Sequence, residues 1–283
     1  MNEAKTLHPV PLDLAGSGGV RLRVWDYGGE GPPLIFCHCG GTLGRIWDPV
    51  IAGLAVQARL LAVDLRGHGD SDKPRGRMHY RWESFANDLL ALAEPLSLGG
   101  DAAAVGHSGG AVAITIAQLS RPGLFGRIAL IDAVLAPDSL FAMANTMAES
   151  ARRRKDNFES RAIVRERLGD KFPFNSWSTE ALDAYITHGF EARPDGRLYL
   201  KCPGEVEANW YEAGSTQSVL DRMHEFDVPA LLVTGTRSYM LDHVREQHRR
   251  TPGSRLEILE DVGHFVPQEQ PEQTARLLNE WLR

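Results

Sequence analysis

Five consecutive residues, Gly106-His107-Ser108-Gly109-Gly110, constrain this chain more than any others. They read G-x-S-x-G. The apolar run Ala102 to Val105 precedes them and Ala111 to Ala117 follows. An apolar run of strand length, a glycine-flanked serine and a helix-forming segment together describe a strand, a sharp turn and a helix. Such a turn holds the serine hydroxyl above the end of a sheet, next to a helix N-terminus. The flanking glycines let neighbouring backbone approach a strained corner. A short glycine/serine string alone could also be an ordinary strand-to-helix turn, so the flanking elements are what give it meaning.

The rest of the chain supplies the sheet. Val20 to Tyr27 alternates apolar and polar residues, as a half-exposed strand does. Leu34 to Cys37, Leu60 to Val63, Ile128 to Ile131 and Ala230 to Val233 are unbroken apolar runs, and Leu256 to Leu259 is a later strand. Runs without alternation suit parallel strands covered on both faces. Ile46 to Leu54, Trp82 to Leu96, Ala111 to Ser120 and Pro271 to Trp281 read as the helices between and after them. The expectation is an α/β fold with a mostly parallel, doubly wound sheet. Strands cease between about Pro137 and Phe226, where Leu140 to Lys155 and Ser178 to Gly189 read as helices. We expect residues 137–226 to form a helical cap inserted after the sixth strand, with 1–136 and 227–283 forming the core. Ligands bind such sheets at the carboxyl ends of the strands, beneath a cap of this kind.

Composition narrows the partners. The 283 residues are 43% hydrophobic and 24% charged, with a formal net charge of -6. The mild acidic excess gives no footprint for nucleic acid or for an anionic membrane. Arg152-Arg153-Arg154-Lys155 is flanked by acids and reads as a solvated helix face. No run approaches a membrane span, and Met1 to Pro9 carries no secretory signal. The three cysteines, Cys37, Cys39 and Cys202, fit a reducing cytoplasm better than a disulfide framework. Cys37-His38-Cys39 lacks a second ligand pair, and neighbours on a strand face opposite ways, so no metal is expected. No organic cofactor is implied either. The expected partner is a small molecule, with the chain a monomer or a homodimer.

A serine hydroxyl needs a base. Of the ten histidines, His264 has the right place: Gly263-His264 follows the last strand and precedes the final helix, on the same sheet end as Ser108. An oxyanion hole needs two backbone N–H groups. Gly109 would give one. The loop His38-Cys39-Gly40-Gly41-Thr42 would give the other, from Gly40, with Cys39 and Gly41 as near alternatives.

Together with Asp64-Leu65-Arg66-Gly67-His68-Gly69-Asp70-Ser71 and Gly235, these segments resemble the α/β-hydrolase family with a helical cap, from about Val20 onward. The resemblance implies Ser108 as nucleophile, His264 as base, and Gly40 and Gly109 at the oxyanion positions; it makes Asp64 to Ser71 a structural turn. It also exposes a vacancy. Most members carry the triad acid a few residues after the late glycine, where this chain has Ser238 and Tyr239. Two carboxylates compete for the role. Asp242 lies further along, where a helix N-cap explains it equally well. Asp132 ends the strand after the nucleophile's helix, the place used by haloalkane dehalogenases and certain lactone hydrolases, and is the expected acid.

Dehalogenases and epoxide hydrolases carry aspartate as nucleophile, whereas serine suits attack on a carbonyl. The expected activity is hydrolysis of a carboxylic ester or lactone. Hydrolysis of a carbon–carbon bond in a diketone-like substrate, and a ligand receptor with slow hydrolysis, are the alternatives. Trp177, Tyr185, Trp210 and Tyr211 in the cap are candidate contacts for an apolar or cyclic substrate, or else core packing.

Overall fold

The computed structural model describes residues 7–138 and 141–283. Met1 to Thr6, most of the stretch where no secretory signal is expected, and the expected helix start at Leu140 lie outside these residues.

The main sheet has eight strands: β1 (Val10–Ala15), β2 (Arg21–Asp26), β3 (Pro33–Cys37), β4 (Arg59–Val63), β5 (Ala103–His107), β6 (Arg127–Ile131), β10 (Ala230–Gly235) and β11 (Arg255–Leu259), in the order β1-β2-β4-β3-β5-β6-β10-β11. The β1–β2 and β2–β4 pairs are antiparallel and the rest parallel. β1 was not expected from the sequence. Its Val10 is exposed, and it pairs only with β2 at the sheet edge, so no continuous apolar run marks it.

The central strands are apolar on both sides because both faces are covered. Ile35, Cys37, Leu130 and Leu232 face one cluster. It includes Phe85 of α2 (Trp82–Ala91) and Val112 of α3 (Gly109–Ser120). Leu34, Phe36, Val105, Ile131 and Val233 face a second cluster. Trp47 lies there just before α1 (Asp48–Ala52), and Leu278 of the final helix joins it. Burying each such side chain is worth about 1.5–3 kcal/mol.

Between β6 and β10 the chain leaves the sheet. It forms α4 (Phe141–Arg153), α5 (Arg161–Leu168), α6 (Thr179–His188), α7 (Gly204–Tyr211) and α8 (Gln217–Asp221). It also forms a small antiparallel sheet, β7 (Asn157–Phe158), β8 (Phe190–Ala192) and β9 (Leu198–Leu200), in the order β7-β9-β8. A purely helical excursion was expected. Strands of two or three residues are too short to show a period of two in sequence. The basic run also differs from expectation. Arg152 and Arg153 are exposed, but Arg154 turns inward to pair with Glu207 of α7 and donates to the Cys202 carbonyl at 2.9 Å. The remaining helices are α9 (Leu241–Arg250), α10 (Val266–Glu269) and α11 (Pro271–Trp281). Among the described residues no helix is long and apolar enough to cross a membrane.

Candidate active site

Ser108 sits between β5 and α3 with φ 56° and ψ −119°. That left-handed backbone is costly for a residue with a side chain, and the surroundings hold it. The Ser108 amide donates to the Ile131 carbonyl at 2.9 Å, and the Ala111 amide donates to the Ser108 carbonyl at 3.1 Å. The glycines of the motif have a steric explanation. A β-carbon on Gly106 would lie 2.6 Å from the Ala111 backbone, and one on Gly110 2.5 Å from the carbonyl oxygens of Cys37 and His38. The helix can cross this close to the strand ends only without side chains there.

His264 arrives on the loop between β11 and α10. Its Nε2 is 3.1 Å from Ser108 Oγ and its Nδ1 2.5 Å from Asp132 Oδ2. A carboxylate can only accept, so Nδ1 carries the proton and Nε2 is left as acceptor for the serine hydroxyl. The loop is fixed from below. His107 Nε2 donates to the His264 carbonyl at 2.9 Å. Burial drives the His107 pKa well below the usual value, so the ring is neutral with its proton on that nitrogen.

Asp132 is fully buried, just past β6, with φ 46°. Its amide donates to the Val233 carbonyl at 2.7 Å. Besides His264, Oδ2 accepts from the Ser238 hydroxyl at 2.5 Å, and Oδ1 accepts from the Thr234 hydroxyl. Three donors satisfy a carboxylate that would otherwise be expensive to bury. Asp242, the alternative acid, is elsewhere. Its side chain is 88 % exposed and pairs with Arg245 at 3.1 Å on the outer face of α9.

The loop after β3 is held by the turn after β4. His68 Nε2 accepts the Gly41 amide at 3.1 Å, His38 Nε2 accepts the Leu65 amide at 3.0 Å, and Asp64 accepts the Gly44 amide at 2.6 Å. Gly41's N–H is therefore committed. Gly40's has no protein acceptor among the described residues, and Gly40 borders the cavity with Cys39 and Ser108. Gly109's N–H is the first of the α3 N-terminus, where no intrahelical acceptor exists. The Cys39 thiol is buried, which pushes its pKa up to about 12 and keeps it protonated.

The cavity above Ser108 spans about 790 Å³ including its open mouth. Trp210 and Tyr211 of α7 line it; Trp177 and Tyr185 do not, which corrects the sequence expectation for that pair. Trp177 and Tyr185 pack against Phe174 and one another, with ring centroids 4.9–5.7 Å apart, one layer behind Phe265. Sequence showed the aromatic mass but not which face of each element it occupied. Tyr239, named in sequence only at the vacant acid position, brings its ring 4.9 Å from that of His264, and Trp82, Val134 and Phe265 line the cavity with no motif to mark them. Apart from His264 and the neutral Cys39 and Tyr groups, no described lining residue is ionisable. Among the described residues no group of His, Cys, Asp and Glu is arranged to hold a metal ion.

A serine on a strand–turn–helix corner, hydrogen-bonded through a loop histidine to a strand-end aspartate at the carboxyl edge of a mostly parallel sheet, defines a class of hydrolytic α/β enzymes. The chain belongs to the alpha/beta hydrolase family, whose model matches residues 34–277, and is a hydrolase. It is 28% identical over 278 residues to a haloalkane dehalogenase of Agrobacterium fabrum, covering 93% of this chain and 89% of that one. The crystal structure of E-2-(acetamidomethylene)succinate hydrolase superposes with a TM-score of 0.85 at 22% identity, over 97% of this chain and 99% of the other. The enol-lactonase of Burkholderia xenovorans LB400 superposes with a TM-score of 0.73 at 22% identity, over 94% and 97%. These two structural likenesses are likenesses of fold.

Proposed function

We propose that this chain hydrolyses an uncharged, largely apolar carboxylic ester or lactone through an acyl-enzyme on Ser108. The observation that carries the reading is the Ser108–His264–Asp132 hydrogen-bonded chain opening into a cavity to which the described residues contribute no lysine or arginine. Ser108 Oγ attacks the carbonyl carbon as His264 Nε2 takes its proton. The carbonyl oxygen gathers negative charge facing the Gly40 and Gly109 amides. The tetrahedral adduct collapses, and His264 passes the proton to the leaving alkoxide. Water, deprotonated by the same nitrogen, then releases the acid. Asp132 keeps His264 in the working tautomer and balances the imidazolium.

The nucleophile separates this reading from that of the dehalogenase relative. Displacement at an alkyl carbon by serine would leave an ether, which has no carbonyl for water to attack. The lining separates it from an enzyme whose named substrate is a succinate. In this reading the excursion, 137–226, is a cap that sets substrate size, with Trp210 and Tyr211 as its contacts. The free, buried thiols fit a reducing cytoplasm.

The test is fluorophosphonate labelling followed by mass spectrometry, with turnover on neutral aryl esters, lactones and vinylogous 1,5-diketones. One label per chain, lost in Ser108→Ala, with many turnovers on ester or lactone, is the expected result. Labelling that persists in Ser108→Ala overturns the acyl-enzyme. Cleavage of the diketone alone replaces ester chemistry with carbon–carbon hydrolysis. A single stoichiometric event on every substrate leaves a receptor.

A further inference from the structure

Trp210 enters the site from α7, and its ring is fixed. Three rings pack against it at steep angles: His68 with centroids at 4.9 Å and 75°, Trp82 at 5.4 Å and 79°, and Phe85 at 4.4 Å and 64°. The residue is only 2 % exposed, yet it borders the cavity beside Ser108.

The edge of the indole that carries Nε1 lies across two glycines. A β-carbon on Gly40 would sit 2.6 Å from Nε1. One on Gly109 would sit 2.4 Å from Cζ2 and 2.8 Å from Cε2. These are the two residues whose amides face the developing oxyanion in the proposed reaction. The indole edge therefore lies against both of these residues, and the three come from different elements.

An indole N–H is a donor only, and a buried one ordinarily finds an acceptor. Trp82 donates to the Gly214 carbonyl at 2.9 Å and Trp25 to Asp64 at 3.2 Å. The Nε1 atoms of Trp47, Trp177 and Trp281 lack acceptors among the described residues but are sealed in the interior. Nε1 of Trp210 has no protein acceptor among the described residues and is not one of the sealed atoms, and Trp210 lines the cavity.

We propose that the Trp210 Nε1–H is a third donor to the substrate's carbonyl oxygen, acting with the Gly40 and Gly109 amides as that oxygen becomes an oxyanion. The inference rests on the acyl-enzyme reading given above. A donor locked by its neighbours needs no reorganisation when charge appears, which is when such a bond lowers the barrier most. The excursion then takes part in the chemistry as well as in substrate selection: one donor belongs to the loop after β3, one to the start of α3 and the third to α7.

The test replaces Trp210 with 3-benzothienylalanine, in which sulfur stands for the N–H and the bicyclic shape is kept; Trp210→Phe is the second variant. Each is assayed on a neutral ester and on the matching thionoester, whose sulfur accepts hydrogen bonds poorly. The expected result is a fall of roughly 10²-fold in kcat on the ester with KM within about threefold. The ester-to-thionoester rate ratio should shrink at least about tenfold. That ratio is taken within one preparation, so a partly folded variant does not distort it. Wild-type kcat and ratio in the benzothienyl variant overturn the proposal, and so does an equal loss on both substrates, which marks packing alone. If Ser108→Ala keeps its turnover, it is the acyl-enzyme reading that fails.

Discussion

Ser238 donates its hydroxyl proton to Asp132 at 2.5 Å, joining the loop after β10 to the end of β6. Position 238 is one of the two places where most relatives of this fold would carry the acid. Here it holds a serine hydrogen-bonded to the aspartate that follows the neighbouring strand. Asp132→Asn should cut turnover by roughly 10⁴, because the amide no longer fixes the His264 tautomer or balances its charge. Asp242→Asn should leave kcat within about twofold, as an exposed substitution far from the site. Adding Ser238→Asp to Asp132→Asn should recover at least about tenfold of the loss, since a carboxylate at 238 starts within reach of the same imidazole. Steady-state kinetics on one neutral ester check all three, and an inert Asp132→Asn refutes the assignment.

The absence of lysine and arginine among the described lining residues predicts selectivity. A neutral acyl ester should be turned over with kcat/KM at least roughly 10²-fold above its ω-carboxylate counterpart, since an unpaired carboxylate in this cavity costs several kcal/mol. Matched pairs of methyl-terminated and carboxyl-terminated p-nitrophenyl esters measure it. Equal rates would show that the substrate's far end stays in water.

Arg154 and Glu207 form an ion pair behind the cavity wall, and Tyr211 donates to Glu207 at 2.9 Å. The two side chains are 25 % and 10 % exposed. Glu207→Ala strands a mostly buried guanidinium and should cost about 3 kcal/mol in urea unfolding, the lower end for one partner of a buried pair. Arg154→Met with Glu207→Leu should cost less than Glu207→Ala alone, because no charge is left unpaired. A double variant as unstable as the single one contradicts this.

His38 makes the stability of the loop after β3 depend on pH. Burial pulls its pKa down to about 4, against the opposing effect of its bond to the Cys39 carbonyl. The neutral ring donates from Nδ1 to that carbonyl and accepts the Leu65 amide on Nε2. A second proton would set two N–H groups head to head. The unfolded chain binds that proton below about 6.5, so the contribution is complete above 6.5 and is lost as pH falls to about 4. The loss amounts to about 3 kcal/mol over that window. Urea midpoints from pH 7 to 5 should fall more steeply in the wild type than in His38→Gln, and parallel slopes would exclude His38 as the source.

Much of this was legible in the sequence. The elbow, the Gly263-His264 loop and the strand-end Asp132 stood at recognisable places, because parallel strands covered on both faces leave long apolar runs that punctuate them. The vacancy at Ser238 and Tyr239 was visible as well. What Ser238 does there was not, since a hydrogen bond spanning 106 residues has no local signal. The excursion was the least readable part. Its helices are amphipathic toward one another as well as toward the cavity, so Trp177 and Tyr185 look no different in sequence from Trp210 and Tyr211. Arg154 reads as surface until its position opposite Glu207 is known.

The left-handed backbone at Ser108 and at Asp132 has a thermal corollary. Each residue's amide forms the last rung to a neighbouring strand, Ser108 to Ile131 and Asp132 to Val233. The corner that carries Ser108 is thus clamped by buried strands and should not melt by itself. On heating, catalytic activity and the sheet should vanish together, in one cooperative step.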